Sequence, residues 1–234
     1  MTTISVSTEV RDTLASNGAV VALESTIFSN LGLPSPANAQ ALSRCIAAIR
    51  KAGAVPAITA VIDGVARVGL NENEHERILG PARKAGEREL ALAIAQQWSV
   101  GATTVSASLL LAARAGIGVF ATGGIGGVHR DVQLHGDISA DLGALAAHPV
   151  VTVCAGAKSF LDLPRTLEYL ETLGVPVVGL ACDEFPAFTV HSSGLPIPAR
   201  VDTVQQLASY TCASRAWPHW WHSCLRARSS CRLT

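Results

Sequence analysis

The chain has 234 residues, 49% of them hydrophobic and 15% charged, which is enough apolar material for a sizeable core and excludes a chain disordered over most of its length. Eighteen basic residues cancel eighteen acidic ones, so the electrostatic footprint of a nucleic-acid binder or of a protein held on an anionic membrane is missing. No uninterrupted apolar run approaches the roughly 20 residues of a membrane span, and the polar, mixed-charge stretch from Met1 to Arg11 predicts no signal peptide.

In chain order, "AVVALES" (19–25) is a short continuous apolar run, as expected of a buried strand. "SPANAQALSRCIAAIRKAG" follows as a helix, with Pro36 suited to its first turn and Gly53 ending it. "VPAITAVIDG" predicts a strand closed by Asp63-Gly64, and "GERELALAIAQQW" a helix. "GATTVSASLLLAARAGI" reads as a turn and a helix capped by Gly116, and "GVFATGGIGGVHR" as a strand running into a glycine-rich loop. "SADLGALAAH" predicts a helix with Ser139 as N-cap. A strand "VVTVCAG", a helix "LPRTLEYLETLG" and a strand "VPVVGLAC" complete the series. Strands separated by helices in this way predict one α/β domain over residues 1–210, a mostly parallel sheet with helices on both faces (α/β/α). The six cysteines form no CxxC pair, and Cys45 and Cys154 read as reduced core residues of a cytoplasmic protein.

Residues 211–234 differ: they hold no acid, four arginines, three cysteines and Trp217, Trp220 and Trp221, and their helical pattern stops at Thr211. Three readings stand: an aromatic and basic patch for nucleic acid, a His/Cys metal tract, or a divergent tail foreign to the fold.

In an open parallel sheet, ligands bind beyond the carboxyl ends of the strands. Five such ends carry polar or glycine-rich chemistry: Glu24, Thr103-Thr104, "TGGIGGVHR", "HGDISAD" and Lys158. Each has a bland alternative. Glu24 is either an ordinary strand-end carboxylate or an acid. The glycines at 123, 124, 126 and 127 either make a tight turn or cradle a phosphate on backbone N–H groups. His129 is either a structural hydrogen-bonder or a catalyst. Asp137 and Asp141 are either a helix-start pair or hard oxygen ligands for Mg²⁺ or Mn²⁺. Lys84 by itself reads as a solvated charge. Lys158, ringed in sequence by alanine and glycine, is expected to be partly desolvated, which favours the neutral, nucleophilic amine. Its role is either imine formation at a sugar carbon, with Glu24 as the acid, or simple pairing with phosphate.

Six blocks, "VALESTIFS", "GATTVSAS", "VFATGGIGGVHR", "DISADL", "VCAGAKSFLDLPRTLEYLETLGVPVVG" and "EFPAF", closely resemble the pseudouridine-5'-phosphate glycosidase family, which includes the indigoidine synthase A-like proteins. The match runs in order from about residue 4 to about 210. The resemblance implies a glycosidase or lyase that splits the C–C glycosidic bond of pseudouridine 5'-phosphate into uracil and ribose 5-phosphate. It implies Lys158 as the imine-forming nucleophile, Glu24 as proton donor and Asp137 as ligand to one Mn²⁺ per subunit. It places Lys84, Val105, His129, Ser139, Ala140 and Asp141 at substrate-binding positions, and it implies a homotrimer with small-molecule partners, no nucleic acid and no membrane. The loop after Glu24, "SNLGLPSPAN", lacks a histidine that many relatives carry. Relatives continue for roughly another 70 to 90 residues beyond the match, so a truncated or frame-shifted end, and with it a chain that at most binds a sugar phosphate, is the competing expectation.

Overall fold

The computed structural model describes residues 4–188, 192–215 and 224–225. The chain forms two compact units, Met1–Ala121 and Thr122–Thr234. The first opens with β1 (Ile4–Val6) and α1 (Thr8–Ala15). It continues through β2 (Val20–Leu23), α2 (Ala37–Lys51), β3 (Val55–Ile62), β4 (Val65–Val68), α3 (Glu72–Leu79), β5 (Arg83–Ala85) and α4 (Leu90–Ala95). It closes with β6 (Val100–Thr103), α5 (Val105–Ala115) and β7 (Val119–Ala121).

β3 organises this unit. All of its residues after Val55 are buried, as expected of a strand covered on both faces. Its first half, Val55–Ile58, pairs in parallel with β2, and β2 pairs in parallel with β7. Its second half changes partners. Thr59–Ile62 pairs antiparallel with β4, and Ala60–Ile62 antiparallel with β6. β1 adds to β4 and β5 to β6, both in parallel. The change at Ile58 and Thr59 brings two strand ends to one place. β2 stops at Leu23 opposite Ile58, while β6, running the other way, stops at Thr103, one residue past the Ala102–Ala60 pair. Leu23, Phe28, Leu42, Ile58, Ile62 and Ile78 form a packed apolar cluster around this point, with α2 contributing Leu42.

The second unit contains α6 (Val132–His135), α7 (Ala140–Ala147), β8 (Val151–Val153), α8 (Leu163–Thr172), β9 (Val177–Leu180), β10 (Ala199–Val201), α9 (Val204–Arg215) and β11 (Cys224–Leu225). β11 pairs in parallel with β8 and with β9, and β9 with β10. Ser139 caps α7 by accepting from the Asp141 N–H, as its sequence predicts. Asp162 caps α8 in the same way from Arg165, with Pro164 in the first turn.

The α/β class with a mostly parallel sheet agrees with the expectation. Three local readings are corrected. Asp63-Gly64 does not simply close β3: with φ of 48° and 72° it makes a two-residue hairpin turn into β4, the geometry that matches strand twist. The turn expected at the start of "GATTVSASLLLAARAGI" is strand instead: Thr103 ends β6, and Thr104 is the N-cap position of α5. α9 runs past Thr211 to Arg215. Trp217, Trp220 and Trp221, on which the nucleic-acid and metal-tract readings rest, lie outside the described residues. Among the described residues no helix is long and apolar enough to cross a membrane.

Candidate active site

In the first unit, Glu24 is the residue at which β2 gives out, and it is half-buried. The next two residues, Ser25 and Thr26, are held to Thr103 by hydroxyls as well as by one backbone bond. Ser25, Thr59, Thr103 and Ser108 are buried within the apolar core. The Ser25 Oγ accepts from the Thr103 N–H at 2.9 Å and lies 3.1 Å from the Thr103 Oγ1. The Thr26 Oγ1 donates to the Thr103 carbonyl at 2.6 Å, and the Thr103 Oγ1 donates to the Thr59 carbonyl at 2.7 Å. The Thr59 Oγ1 is within 2.8 Å of both the Thr103 Oγ1 and the Ser108 Oγ. A buried hydroxyl left without a partner costs about 1–3 kcal/mol, so these groups satisfy one another and lock the strand ends together. Lys84 lies on β5 opposite Ala102, next to the Ala85–Thr103 pair, and is exposed. Val105 begins α5 and is only 2% exposed. The unit therefore brings Glu24, Thr103 and Val105 to one convergence of strand and helix ends, with Lys84 on the adjoining strand.

In the second unit the glycine-rich loop is tied down along its length. The Ile125 N–H donates to the Gly156 carbonyl at 3.0 Å, and the Lys158 N–H to the Ile125 carbonyl at 3.2 Å. The Gly126 N–H donates to the Asp141 carboxylate at 2.8 Å, and the Val128 N–H to the Thr166 Oγ1 at 3.0 Å. The His129 N–H donates to the Asp137 carbonyl at 3.0 Å. The N–H groups of 125, 126, 128 and 129 already have protein acceptors, so of the four glycines at least Gly126 does not offer its N–H to a phosphate. These bonds also separate Asp137 from Asp141. Asp141 is buried in the first turn of α7 and holds the loop. Asp137 lies outside that helix, exposed, with its Oδ2 3.6 Å from the His129 Nδ1. The pair at one helix start is thus not what forms. Ser139 and Ala140 sit between them at the helix start.

The expected desolvation of Lys158 is corrected. Lys158 is exposed. β8 ends at Val153, and the small residues beyond it bury backbone, not the amine. Gly156 bridges to Ala187 and Ala157 to Ile125, and the chain turns outward at 158, where the Lys158 carbonyl accepts from Leu161. The unit thereby brings Lys158 and Asp141 to one loop, with His129 and Asp137 at its far end.

The described residues contain no group of three His, Cys, Asp or Glu side chains that could hold a metal ion. Mn²⁺-like ions also bind through one or two carboxylates while keeping several waters, and the exposed Asp137 carboxylate fits that mode. A cavity of about 380 Å³ opens in this unit, lined among others by Arg130, Ser159, Asp162 and Ser193. Arg130 and Ser159 are not among the sequence candidates, although each directly follows one, His129 and Lys158.

These are the features of an α/β protein that gathers ionisable groups just past the ends of its strands, the class in which such ends serve as ligand sites. Residues 9–219 match the sequence profile of the family described as "Indigoidine synthase A like protein", and the chain belongs to that family. It is 52% identical over 205 residues to a pseudouridine-5'-phosphate glycosidase from Myxococcus xanthus (strain DK1622), covering 86% of this chain and 67% of that protein. It is 54% identical over 204 residues to one from Methylobacterium nodulans (strain LMG 21967 / CNCM I-2342 / ORS 2060), covering 86% of this chain and 60% of that protein. The crystal structure of the prealnumycin C-glycosynthase AlnA in complex with ribulose 5-phosphate superposes with a TM-score of 0.86 at 37% identity, covering 96% of this chain and 72% of that one. The chain thus spans about two thirds or less of the length of these two relatives.

Proposed function

We propose that the chain cleaves the C–C glycosidic bond of pseudouridine 5'-phosphate to give uracil and ribose 5-phosphate, in nucleoside catabolism. The observation that carries this reading is the identity of 52% and 54% with proteins of that name; Glu24 and Lys158, which the resemblance puts in the catalytic roles, follow β2 and β8. The Lys158 amine attacks C1', the C1'–O4' bond breaks, and O4' takes up a proton. Glu24 then protonates the uracil carbon bonded to C1'. As the C1'–C bond breaks, its electron pair restores the pyrimidine double bond, while the nitrogen lone pair makes the C1'=N imine. Water hydrolyses the imine, releasing ribose 5-phosphate and the amine. Lys158 is exposed, so its amine is open to an incoming sugar.

The test is direct. Protein incubated with pseudouridine 5'-phosphate and Mn²⁺ should release uracil and ribose 5-phosphate in equal amounts by chromatography. Binding of ribose 5-phosphate with no uracil released would replace the reading with a second one, a protein that only binds a pentose phosphate. The ribulose 5-phosphate complex of the similar C-glycosynthase supports a pentose phosphate as the group held, under either reading.

Asp137 is proposed as the ligand to one hydrated Mn²⁺ per subunit, which would offset phosphate charge. Asp137→Asn should weaken Mn²⁺ binding at least about tenfold in a water-proton relaxation titration; unchanged binding would remove Asp137 from the metal. Cytoplasmic location and a homotrimer are carried by the family resemblance. Leu134 and Phe160, 72% and 59% exposed, are apolar surface that an assembly would cover.

A further inference from the structure

β2 ends at Leu23, just before the residue that carries the carboxyl, Glu24. A 3₁₀ turn, Thr26–Phe28, begins almost at once. One clamp on this segment is a residue of β6, Thr103. The Thr103 N–H donates to the Ser25 Oγ at 2.9 Å, while its carbonyl accepts the Ser25 N–H at 3.3 Å and the Thr26 Oγ1 at 2.6 Å. Its own Oγ1 ties that grip to β3 by donating to the Thr59 carbonyl at 2.7 Å, and it lies 3.1 Å from the Ser25 Oγ. Thr103, Ser25 and Thr59 are all at 0% exposure, in a region otherwise lined by Leu23, Phe28, Ile58 and Ile62. Valine has about the volume of Thr103 but is not its equivalent there, because it removes the donor to the buried Thr59 carbonyl and the partner of the Ser25 and Thr59 hydroxyls. What the hydroxyl adds is direction: both residues after Glu24 are fixed relative to β3, and with them the point at which the carboxyl leaves the chain.

We propose that Thr103 is a positioning residue for the Glu24 carboxyl, setting the place from which it delivers its proton. The proposal rests on the reading of Glu24 as the acid. It concerns proton delivery alone, because attack by Lys158 does not use Glu24. A misplacement of about 1 Å at a reacting group can cost about a hundredfold in rate. Loss of the Thr103 hydroxyl, with its backbone bonds retained, should therefore act on turnover and spare binding.

The experiment compares wild type with Thr103→Val and Thr103→Ser in the full chain. For Thr103→Val, kcat for uracil release from pseudouridine 5'-phosphate should fall between about 10- and 100-fold with KM changed less than about twofold. Borohydride trapping of ribose 5-phosphate on Lys158 should match wild type. Thr103→Ser, which restores the hydroxyl, should recover kcat to within about threefold of wild type. The proposal is overturned if kcat is unchanged in Thr103→Val, if trapping and kcat fall together, or if serine behaves as valine does. Should the valine variant fail to fold, Ser25→Ala removes the acceptor of the Thr103 N–H and takes its place, with the same split expected and an unchanged kcat overturning the idea. A wild-type chain that traps ribose 5-phosphate but releases no uracil ends the reading of Glu24 as the acid, and the positioning role with it; that outcome is distinct because it arises without any variant.

Discussion

Replacing Lys158 with alanine should stop uracil release, lowering kcat by on the order of 10⁴-fold or more, because the step that makes the leaving group leave is the covalent one. Lys158→Arg decides what the amine is for. Arginine keeps the positive charge and pairs with phosphate at least as well, but it cannot form an imine. An arginine variant as dead as the alanine variant identifies a nucleophile; one that keeps substantial activity identifies a phosphate partner and removes the imine. Because Lys158 is exposed, neither change should alter folding stability by more than about 0.5 kcal/mol, so lost activity is not lost structure. The composition makes the chemical test unusually clean. The chain has only three lysines, Lys51, Lys84 and Lys158. Lys51 is in the last turn of α2 and Lys84 on β5. Reduction with borohydride in the presence of ribose 5-phosphate, followed by peptide mass analysis, should place the sugar on the peptide containing Lys158. A sugar on Lys84 or Lys51 instead would sink the assignment.

The two residues assigned the largest chemical roles are legible in the sequence to different degrees. Glu24 stands out because β2 is a buried apolar run, and the first ionisable group after such a run lies where parallel sheets open. Ser139 is legible as a cap because the rule for N-caps is local. Lys158 is legible by position, but its surroundings are not. Alanine and glycine next to a lysine look like an apolar ring, whereas here they let backbones approach, with Gly156 against the segment at Pro186 and Ala157 beside Ile125. β4 escapes a sequence reading because Asp-Gly ends a strand and also turns one back; only the pairing of Thr59–Ile62 with Val65–Val68 decides. β6 escapes it because "VGAT" carries no apolar run, and it exists through its pairing with β3 and β5. The hydroxyl network is invisible for the same reason. Thr59 stands in sequence as one polar residue in an apolar strand, and its partner Thr103 is 44 positions away. Local rules reach caps, turns and strand ends; contacts across the fold set exposure and polar pairing.

The second large effect is on stability and tests the backbone that presents Lys158. Gly156 has φ of 84°, and a Cβ at this position would stand 1.8 Å from the Pro186 carbonyl oxygen. A left-handed conformation alone costs an L-residue about 1–2 kcal/mol. The contact adds much more, because its partner is backbone and no side-chain rotation relieves it. The segments at 156 and 186 would have to part, and two bonds go with them: Ile125 N–H to the Gly156 carbonyl at 3.0 Å and Phe188 N–H to the Ala155 carbonyl at 2.9 Å. Gly156→Ala should therefore destabilise the protein by about 4 kcal/mol or more in urea unfolding, in the range reserved for gross packing faults. Gly174 supplies the control. Its φ of 70° is equally left-handed, but a Cβ there meets nothing within 4 Å. Gly174→Ala should cost only the conformational penalty of about 1–2 kcal/mol. If the two alanine variants unfold at the same urea concentration, close approach at Gly156 does not hold this loop, and Lys158 is presented by some other contact.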